Sequence, residues 1–251
     1  MAGTLYLVGT PIGNLNDLSP RAIETLKSVD FIAAEDTRVS MKLLNHFGVK
    51  KPLISYHEHN HVTAGQSVLN RLLAGESCAL MTDAGTPAIS DPGEDLVRLC
   101  AENGVEVRAI PGCCAAVNAL AVSGLPTGRF TFEGFLTVNK KSRREHLNSL
   151  KSETRTMIFH EAPHKLRTTL NDLTEAFGPD RRISLCRELT KLHEEVLRFT
   201  LAEAVSYYEE NAPKGEYVLV VAGAAPKTGA VVTLEDGVAQ VLALKEQGMR
   251  L

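Results

Sequence analysis

Three segments combine glycine, proline and short polar side chains in patterns that suit a small ligand lying against the backbone. The longest, residues 82–93 (TDAGTPAISDPG), exceeds the roughly two to six residues that usually join a strand to a helix. Ala84 and Gly85 would let a nucleotide-like ligand approach the backbone closely, and Asp83 would meet an ammonium group or ribose hydroxyls. The alternative is an elaborate helix start in which Asp91 caps the following helix.

The other two segments are residues 8–17 (VGTPIGNLND) and 109–116 (AIPGCCAA). The first has neither the GxGxxG dinucleotide pattern nor the GK[ST] of a P-loop, so a tight structural turn is its alternative. In the second, small side chains at a helix start expose backbone N–H groups that attract a carboxylate, with close helix–sheet packing as the alternative. A nucleophilic role for Cys114 is disfavoured, because no histidine follows at a spacing that suggests a base.

Charged residues follow two further predicted strands. Residues 35–38 (EDTR) and 187–191 (RELTK) place carboxylates and cations at the strand ends. Ligands bind at the carboxyl ends of strands in open α/β sheets, so both groups are candidates for a site. A salt-bridged helix start is the alternative for the first group.

One basic run is dense, Lys140, Lys141, Arg143 and Arg144, and it lies just downstream of three phenylalanines. It is predicted either to contact an RNA phosphate backbone or to form a solvated face. Three alternating histidines, at residues 57, 59 and 61, could offer imidazoles on one side of an extended segment. Because no fourth ligand is evident, a metal site is not predicted.

Composition bounds the class of protein. The 251 residues carry 27 basic and 30 acidic side chains, a formal net charge of −3, and 44% apolar residues. These values exclude a histone-like coat for nucleic acid and wholesale disorder, but they allow a local basic patch. No apolar run approaches the ~20 residues of a membrane-spanning helix, and no signal-peptide pattern opens the chain. Five cysteines without a CxxC pair predict reduced thiols and a cytoplasmic protein.

Alternating strand and helix patterns in the first half predict the elements that position these loops. Strands are predicted at residues 5–8, 31–34, 53–56, 78–81 and 105–110, each followed by a helix-period segment. Ser19 is predicted to cap the first helix, and Asp91 to cap the fourth with Pro92 at its first position. Five such units predict a mostly parallel, doubly wound sheet.

The second half begins near residues 123–128 (SGLPTG), the best linker candidate. Strands are predicted at residues 130–135, 156–159, 183–186, 196–199 and 217–221, and this closer succession predicts a mixed sheet. Thr200 and Glu203 have capping-box spacing ahead of a helix. The predicted organisation is two α/β domains, 1–112 and 113–225, followed by a short tail, 226–251, that contains one more helix.

Together the loops resemble the tetrapyrrole methylase superfamily of enzymes that use S-adenosylmethionine (SAM). The motifs that carry the resemblance are LYLVGTPIGNL (5–15), AEDTR (34–38), DAGTP (83–87), DPG (91–93), PG (111–112), SGLP (123–126), EGFL (133–136), RELTK (187–191) and KGE (214–216). They span about residues 4–223 and are specific as a set. Because members of the family have a longer C-terminal helical segment, the tail at 226–251 is expected to be truncated.

The resemblance implies a two-domain α/β enzyme that forms a homodimer, with SAM in the cleft between the domains. Transfer of the methyl group from SAM needs no metal, because that group is already electrophilic. The branch that it most resembles methylates the ribose 2′-hydroxyl of a cytidine in small-subunit (16S) ribosomal RNA. By motif, the cofactor would contact Pro11, Ile12, Asp83, Ala84, Gly85, Thr86, Ile89, Cys114, Ala115, Phe159, His160, Glu161 and Leu189. The group around the reacting atoms would be Glu35, Asp36, Arg38, Arg187, Glu188 and Lys191, with the choice of base left open. The basic run would contact RNA through Lys140, Lys141, Arg143 and Arg144.

Two alternatives stay open at this stage. A precorrin-type methylase of a tetrapyrrole carbon would more typically carry a Gly-Pro-Gly-Asp turn where this chain has TPIGN, and the basic run also favours RNA. A non-catalytic SAM sensor or RNA-binding assembly module is the other alternative. It would leave every activity unchanged when Glu188 and Lys191 are substituted.

Overall fold

The first half of the chain forms an all-parallel sheet in the computed structural model, which describes residues 1–225. Its strands are β1 (Thr4–Val8), β2 (Phe31–Ala34), β3 (Leu53–Ser55), β4 (Cys78–Met81) and β5 (Glu106–Ile110), in the order β3-β2-β4-β1-β5. Every neighbouring pair is parallel. The predicted doubly wound parallel sheet is confirmed, and its strand ends lie within one residue of the predicted ones.

Four helices cover the two faces of this sheet: α1 (Pro20–Ser28), α2 (Thr37–His46), α3 (His61–Leu73) and α4 (Glu94–Glu102). Side chains alternate along β2, so that Phe31 and Ala33 pack under α3 and α4 while Ile32 and Ala34 pack under α1 and α2. Both faces are therefore buried, as a parallel sheet requires. A short 3₁₀ turn, Leu15–Asp17, lies in the first loop.

The start of α4 differs from the prediction. The expected cap at Ser19 is present, because its Oγ accepts a hydrogen bond from the Ala22 N–H at 3.1 Å. The expected cap at Asp91 is wrong: α4 begins at Glu94, Gly93 occupies the N-cap, and Pro92 lies outside the helix. Ser90 and Gly93 have positive φ, so the residues that the sequence pattern assigned to the first turn of the helix belong to the preceding loop instead.

The second half forms a mixed sheet. Its strands are β6 (Phe130–Phe135), β7 (Thr156–Glu161), β8 (Arg182–Arg187), β9 (Glu195–Thr200) and β10 (Tyr217–Val221), in the order β6-β7-β10-β8-β9. Only the β6–β7 pair is parallel, and the other three pairs are antiparallel. The predicted mixed sheet is confirmed.

The two faces of the mixed sheet pack differently. One face lies under α6 (Lys140–Ser149), α7 (Leu166–Phe177) and α8 (Leu201–Glu210), and Thr200 and Glu203 form the predicted capping box of α8. The other face packs against α5 (Ala115–Val122) and also against Ile12, which comes from the first half of the chain. The two halves therefore share an apolar cluster beside the loop that follows β1.

The division into domains at residue 112 stays a prediction, although α5 packs on the second sheet as that division requires. The predicted tail, 226–251, with its helix and its truncation, lies outside the described residues. Among the described residues, no helix has the length and apolar character needed to cross a membrane.

Candidate active site

The three glycine- and proline-bearing loops meet at the carboxyl edge of the first sheet, and we call this contact the loop junction (residues 9–13, 82–87 and 111–114). Thr10 and Gly85 pair as an isolated antiparallel bridge, with N–H to O distances of 2.8 and 3.2 Å. The Thr10 hydroxyl donates to the Thr82 carbonyl at 3.2 Å, and the Thr86 hydroxyl donates to the Cys113 carbonyl at 2.9 Å. Segments far apart in sequence thus form one backbone surface.

Glycine is required at two points of the junction. A Cβ on Gly9 would lie 2.7 Å from the Gly112 Cα, and a Cβ on Gly112 would lie 2.7 Å from the Gly9 backbone. At Gly85, φ is +92°, and a Cβ would fill the space between Ile12 Cγ2 at 3.6 Å and the Cys113 oxygen at 3.7 Å. The junction therefore leaves the space at Gly85 that a side chain would fill, and we call this space the Gly85 cradle.

A group of carboxylates borders the junction, and we call Glu35, Asp36, Asp83 and Asp91 the acidic rim. The Asp36 N–H donates to Asp83 Oδ1 at 3.2 Å, and the Asp83 N–H donates to Glu35 Oε2 at 3.4 Å. Burial raises the pKa of Glu35 and of Asp83, and neighbouring carboxylates add to both effects. Burial and the charges of Glu35 and Asp83 raise the pKa of Asp91 to about 6.

Asp36 differs from the rest of the rim because it has a cation of its own. Its Oδ2 lies 2.6 Å from Arg38 Nη2, and the same carboxylate caps α2 by accepting from the Arg38 N–H at 2.8 Å. These hydrogen bonds lower the pKa of Asp36. The salt-bridged helix start, which was the alternative prediction for residues 35–38, thus accounts for Asp36 and Arg38 but not for Glu35.

The segment after β8 carries the second charged group, and we call residues 187–191 with Glu195 and Glu216 the ion-paired loop. Lys191 Nζ lies 2.8 Å from Glu188 Oε1 and 2.8 Å from Glu216 Oε2, and Arg187 Nε lies 3.2 Å from Glu195 Oε2. The Lys191 hydrogen bond lowers the pKa of Glu188. Burial opposes the charge of Lys191, but its hydrogen bonds to both carboxylates prevail and raise its pKa.

The ion-paired loop touches the loop junction. A Cβ on Gly13 would collide with the Lys191 side chain and would lie 3.0 Å from the Thr190 Oγ1. Leu189 is buried in the apolar cluster that also contains Ile12, Cys114 and Ala115. Within residues 1–225, no hydrogen bond or ion pair joins the ion-paired loop to the acidic rim, so the two charged groups approach the junction from different sides.

Backbone strain marks the same segments. Among the described residues, the non-glycine residues with positive φ are Ala88, Ser90, Glu188 and Thr190. Two lie in the loop after β4 and two lie in the ion-paired loop. Residues held in this region cost of order 1–3 kcal/mol each and cluster at functional sites. The sequence carries no signal for them, because none is glycine or asparagine.

The end of β7 places three predicted cofactor contacts, Phe159, His160 and Glu161, in different surroundings. The His160 ring lies at 5.3 Å from the rings of both Phe132 and Phe135, its Nε2 is buried without a hydrogen-bond partner, and burial lowers its pKa. Phe159 points to the opposite face, into the core under α7. Glu161 is buried and accepts hydrogen bonds from the Thr169 hydroxyl and the Ala162 N–H. Only His160 of these three presents an unpartnered side-chain atom.

The basic run lies on α6, and its four members are not equivalent. Lys140, Lys141 and Arg144 are exposed, whereas the Arg143 side chain is only 10% exposed. Arg143 Nε lies 2.5 Å from Asp172 Oδ2, and its Nη2 donates to the Thr169 hydroxyl at 2.7 Å. The expected common RNA surface therefore does not include the Arg143 guanidinium, which helps to hold α6 against α7.

Histidines and cysteines show no reactive arrangement. His57 and His59 stack edge to face at 6.0 Å, but His61 Nδ1 pairs with Asp95 Oδ2 at 2.5 Å. Among the residues that the structure describes, no group of three His, Cys, Asp or Glu side chains could hold a metal ion. All five cysteines are free, and burial raises the pKa of the Cys113 thiol, which disfavours a thiolate there.

The family model for Tetrapyrrole (Corrin/Porphyrin) Methylases matches residues 4–205. The chain belongs to the tetrapyrrole methylase family. Two similar proteins of this family carry the name ribosomal RNA small subunit methyltransferase I. The one from Synechocystis is 54% identical over 225 residues, which cover 90% of this chain and 81% of that protein. The one from Halalkalibacterium halodurans is 54% identical over 221 residues, which cover 88% and 76%.

The tetrapyrrole methylase fold is also found by structure. Uroporphyrin-III C-methyltransferase from Thermus thermophilus superimposes with a TM-score of 0.60 at 21% identity, covering 88% of this chain and 94% of that one. At this identity the likeness concerns the fold. The superfamily resemblance and the α/β fold class predicted from the sequence are confirmed.

Proposed function

We propose that this tetrapyrrole methylase transfers a methyl group from SAM to the ribose 2′-hydroxyl of a cytidine in small-subunit ribosomal RNA. The observation that carries the proposal is the 54% identity to two relatives named for methylation of small-subunit ribosomal RNA. A tetrapyrrole substrate is disfavoured because the tetrapyrrole enzyme matches at only 21% identity. The nucleotide and the oxygen atom are inferred from the resemblance of the sequence motifs.

The junction residues fit SAM. The absence of a side chain at Gly85 leaves space between Ile12 and Cys113. Two buried polar atoms in segments that carry predicted cofactor contacts, His160 Nε2 at the end of β7 and Thr190 Oγ1 beside Gly13, lack hydrogen-bond partners. The acidic rim supplies negative charge for a ligand that carries an ammonium and a sulfonium group. We assign the cofactor contacts to Pro11, Ile12, Asp83, Ala84, Gly85, Thr86, Ile89, Cys114, Ala115, His160 and Leu189.

When bound, SAM supplies a methyl group that is already electrophilic. The protein must then align the hydroxyl oxygen with that carbon, and alignment of this kind contributes about 7–11 kcal/mol to lowering a barrier. It must also accept the hydroxyl proton and stabilise the negative charge that develops on the oxygen.

We propose Glu35 as the proton acceptor and Lys191 as the cation beside the oxygen. Asp36 is bound to Arg38, and Glu188 is bound to Lys191, so neither has a free lone pair of comparable basicity. Glu35 has one long hydrogen bond and a raised pKa, which brings its basicity closer to neutral pH. Lys191 stays charged because its pKa is raised.

A homodimer and a cytoplasmic location complete the proposal. The resemblance of the motifs supports the dimer, and five free thiols favour a reducing compartment. Light scattering of the full chain would measure the oligomeric state directly, and a mass of about 27 kDa in solution would contradict the dimer.

The deciding experiment follows radiolabelled methyl groups from SAM into purified small ribosomal subunits, free ribosomal RNA and a tetrapyrrole precursor. We expect label in the RNA of the subunits. A methylated 2′-oxygen cannot attack the adjacent phosphate, so alkaline hydrolysis should leave the label in resistant dinucleotides. Label in mononucleotides would instead show methylation of a base, and the ribose assignment would be wrong.

Matched controls identify the other outcomes. Label in the tetrapyrrole precursor alone would overturn the RNA substrate. SAM binding without label in any substrate, unchanged by Lys191→Met, would favour the non-catalytic sensor. The target would be identified by label in subunits that lack only the methyl group on that nucleotide, together with no label in subunits that already carry it.

A further inference from the structure

A groove lies between α6 and α7, away from the loop junction. Its volume is about 1010 Å³, and it is lined by six Lys and Arg side chains but only three carboxylates. The chain as a whole has a net charge of −3, so the groove is positive on a protein that is negative overall. A concave surface of one sign concentrates field lines and attracts ligands of the opposite charge.

The positive charge of the groove is largely unpaired. At its floor Arg143 binds Asp172, and on its rim Arg144 lies 3.3 Å from Glu175. The other four cations, Lys140, Lys141, Lys151 and Lys165, make no ion pair within residues 1–225. Lysines that form no ion pair with neighbouring carboxylates are available to bind phosphates.

Three of these lysines lie at one end of the groove. Strands β6 and β7 are parallel, so the helices that follow them start at the same edge of the second sheet. Lys140 and Lys141 open α6, and Lys165 is the N-cap residue of α7. The lysines therefore face the sheet edge at which His160 and the ion-paired loop lie, and the groove leads away from that edge.

An exposed aromatic side chain stands at the same edge. Phe135 ends β6 and is 61% exposed, with one side of its ring against His160. Val138, which is 76% exposed and lines the groove, lies between Phe135 and the first lysine of α6. The Phe135 ring does not line the groove; it lies on the α5 face of the sheet, so a strand would pass over the carboxyl edge of the sheet between the lysines and the ring. A cationic surface together with an exposed aromatic ring binds single-stranded nucleic acid through phosphate contacts and base stacking.

We propose that the α6–α7 groove holds a single-stranded RNA segment flanking the target nucleotide, with phosphates along Lys140, Lys141, Lys165 and Lys151 and one base stacked on Phe135. This inference rests on the proposed RNA substrate. The proposed RNA surface extends beyond the basic run to two further lysines, Lys151 and Lys165, and to the Phe135 ring. It also gives the target strand a direction, from the groove towards the carboxyl edge of β7.

The test measures the affinity of the full chain for a fluorescent single-stranded RNA oligonucleotide over a series of KCl concentrations. Lys151→Gln/Lys165→Gln should weaken binding and reduce the slope of log K against log salt by about 1.4, since each phosphate contact contributes about 0.7 for single strands. Phe135→Ala should weaken binding at least fivefold with the slope unchanged. Phe135→Tyr, which keeps an aromatic ring, should bind as the wild type does.

The matched control is Lys27→Gln/Lys42→Gln, two exposed lysines on α1 and α2. It removes the same charge and should leave the salt slope unchanged. Thermal melting should be the same for all variants, because no substituted side chain is buried. SAM calorimetry should be the same for the lysine variants and for Phe135→Tyr, which keeps the ring against His160. Methylation of small subunits by the wild type tests the proposed function separately.

Two results would overturn the inference. One is a folded groove variant whose RNA affinity and salt slope equal those of the wild type while the wild type methylates subunits. The other is polyglutamate competing as strongly as RNA of equal charge, with no effect of Phe135→Ala on RNA binding. That result would make the groove a site for acidic protein chains.

Discussion

The acidic rim and the ion-paired loop are both charged and both end strands, but their electrostatics are opposite. In the rim, only Asp36 has a cation, Arg38; Glu35, Asp83 and Asp91 lie among other carboxylates, and their pKa values are raised. In the ion-paired loop every carboxylate has a cation, and the pKa of Glu188 is lowered. Carboxylates whose pKa values are shifted in opposite directions are suited to different roles, as proton acceptors or as fixed charges.

The difference indicates a division of labour. The crowded carboxylates of the rim repel one another, and a positively charged ligand would relieve that repulsion, in agreement with the proposed SAM contacts. In the ion-paired loop, Glu188 and Glu216 hold the Lys191 ammonium group in place, so this cation is positioned before the substrate binds. Substitutions in the two regions should therefore fail in different ways.

The largest effect is expected from Lys191→Met, which keeps the aliphatic stem against Gly13 but removes the cation. We expect kcat to fall by about 10²–10³-fold, as for removal of one charge-stabilising donor. SAM affinity by calorimetry should stay within a few-fold of the wild type. Glu216→Gln is the matched control, because Glu216 is the exposed partner of Lys191 and its loss should change kcat only slightly. Near-normal turnover of Lys191→Met would remove the ion-paired loop from the mechanism.

Asp83→Asn should weaken SAM about tenfold in calorimetry. The neutral amide no longer attracts a cationic ligand, while its oxygen can still accept from the Asp36 N–H. Asp180→Asn, at an exposed position in the second half, serves as the matched control. An unchanged affinity would show that the cofactor does not contact the rim.

Asp91→Asn should stabilise the free protein at pH 7.5 by about 1–2 kcal/mol, after allowance for solvent screening. The folded protein holds the Asp91 proton to about pH 6, above the ordinary value of 3.8, so the cost of ionisation grows between those values and is complete above them. The gain in the free energy of unfolding should therefore disappear below about pH 4. Urea denaturation across this pH range measures it, and a gain independent of pH would contradict the crowding of carboxylates.

Arg38→Gln should have the smallest effect. Arg38 is 85% exposed, and an exposed ion pair adds little to stability. We expect no measurable change in the free energy of unfolding. A large loss of kcat without a loss of stability would place Arg38 beside the reacting atoms.

Much of the fold could be predicted because it depends on local patterns. Both sheets, the cap at Ser19 and the capping box at Thr200 follow from periodicity and short-range hydrogen bonding. The cap predicted at Asp91 was wrong because Ser90 and Gly93 take positive φ and α4 begins only at Glu94, a loop conformation that the capping pattern does not reveal.

The sequence predicted which loops lie at the candidate site, but not which of their charged side chains pair. Lys191 was a candidate, but its partner Glu216 lies just before β10, 25 residues away, and only the KGE motif pointed to that position. Arg143 and Glu161 show the reverse case. Both were assigned to ligands, yet both are linked through Thr169 inside the second half, because burial of a charge demands partners that a sequence pattern does not reveal.

The contact between Gly9 and Gly112 has an evolutionary consequence. Each added Cβ would meet main-chain atoms of the other glycine, so no compensating change of a side chain can make room for it. The two positions should stay glycine together even in relatives whose charged residues have been replaced. They would then identify members of the fold that have changed substrate or lost activity, where the catalytic motifs no longer serve as a guide.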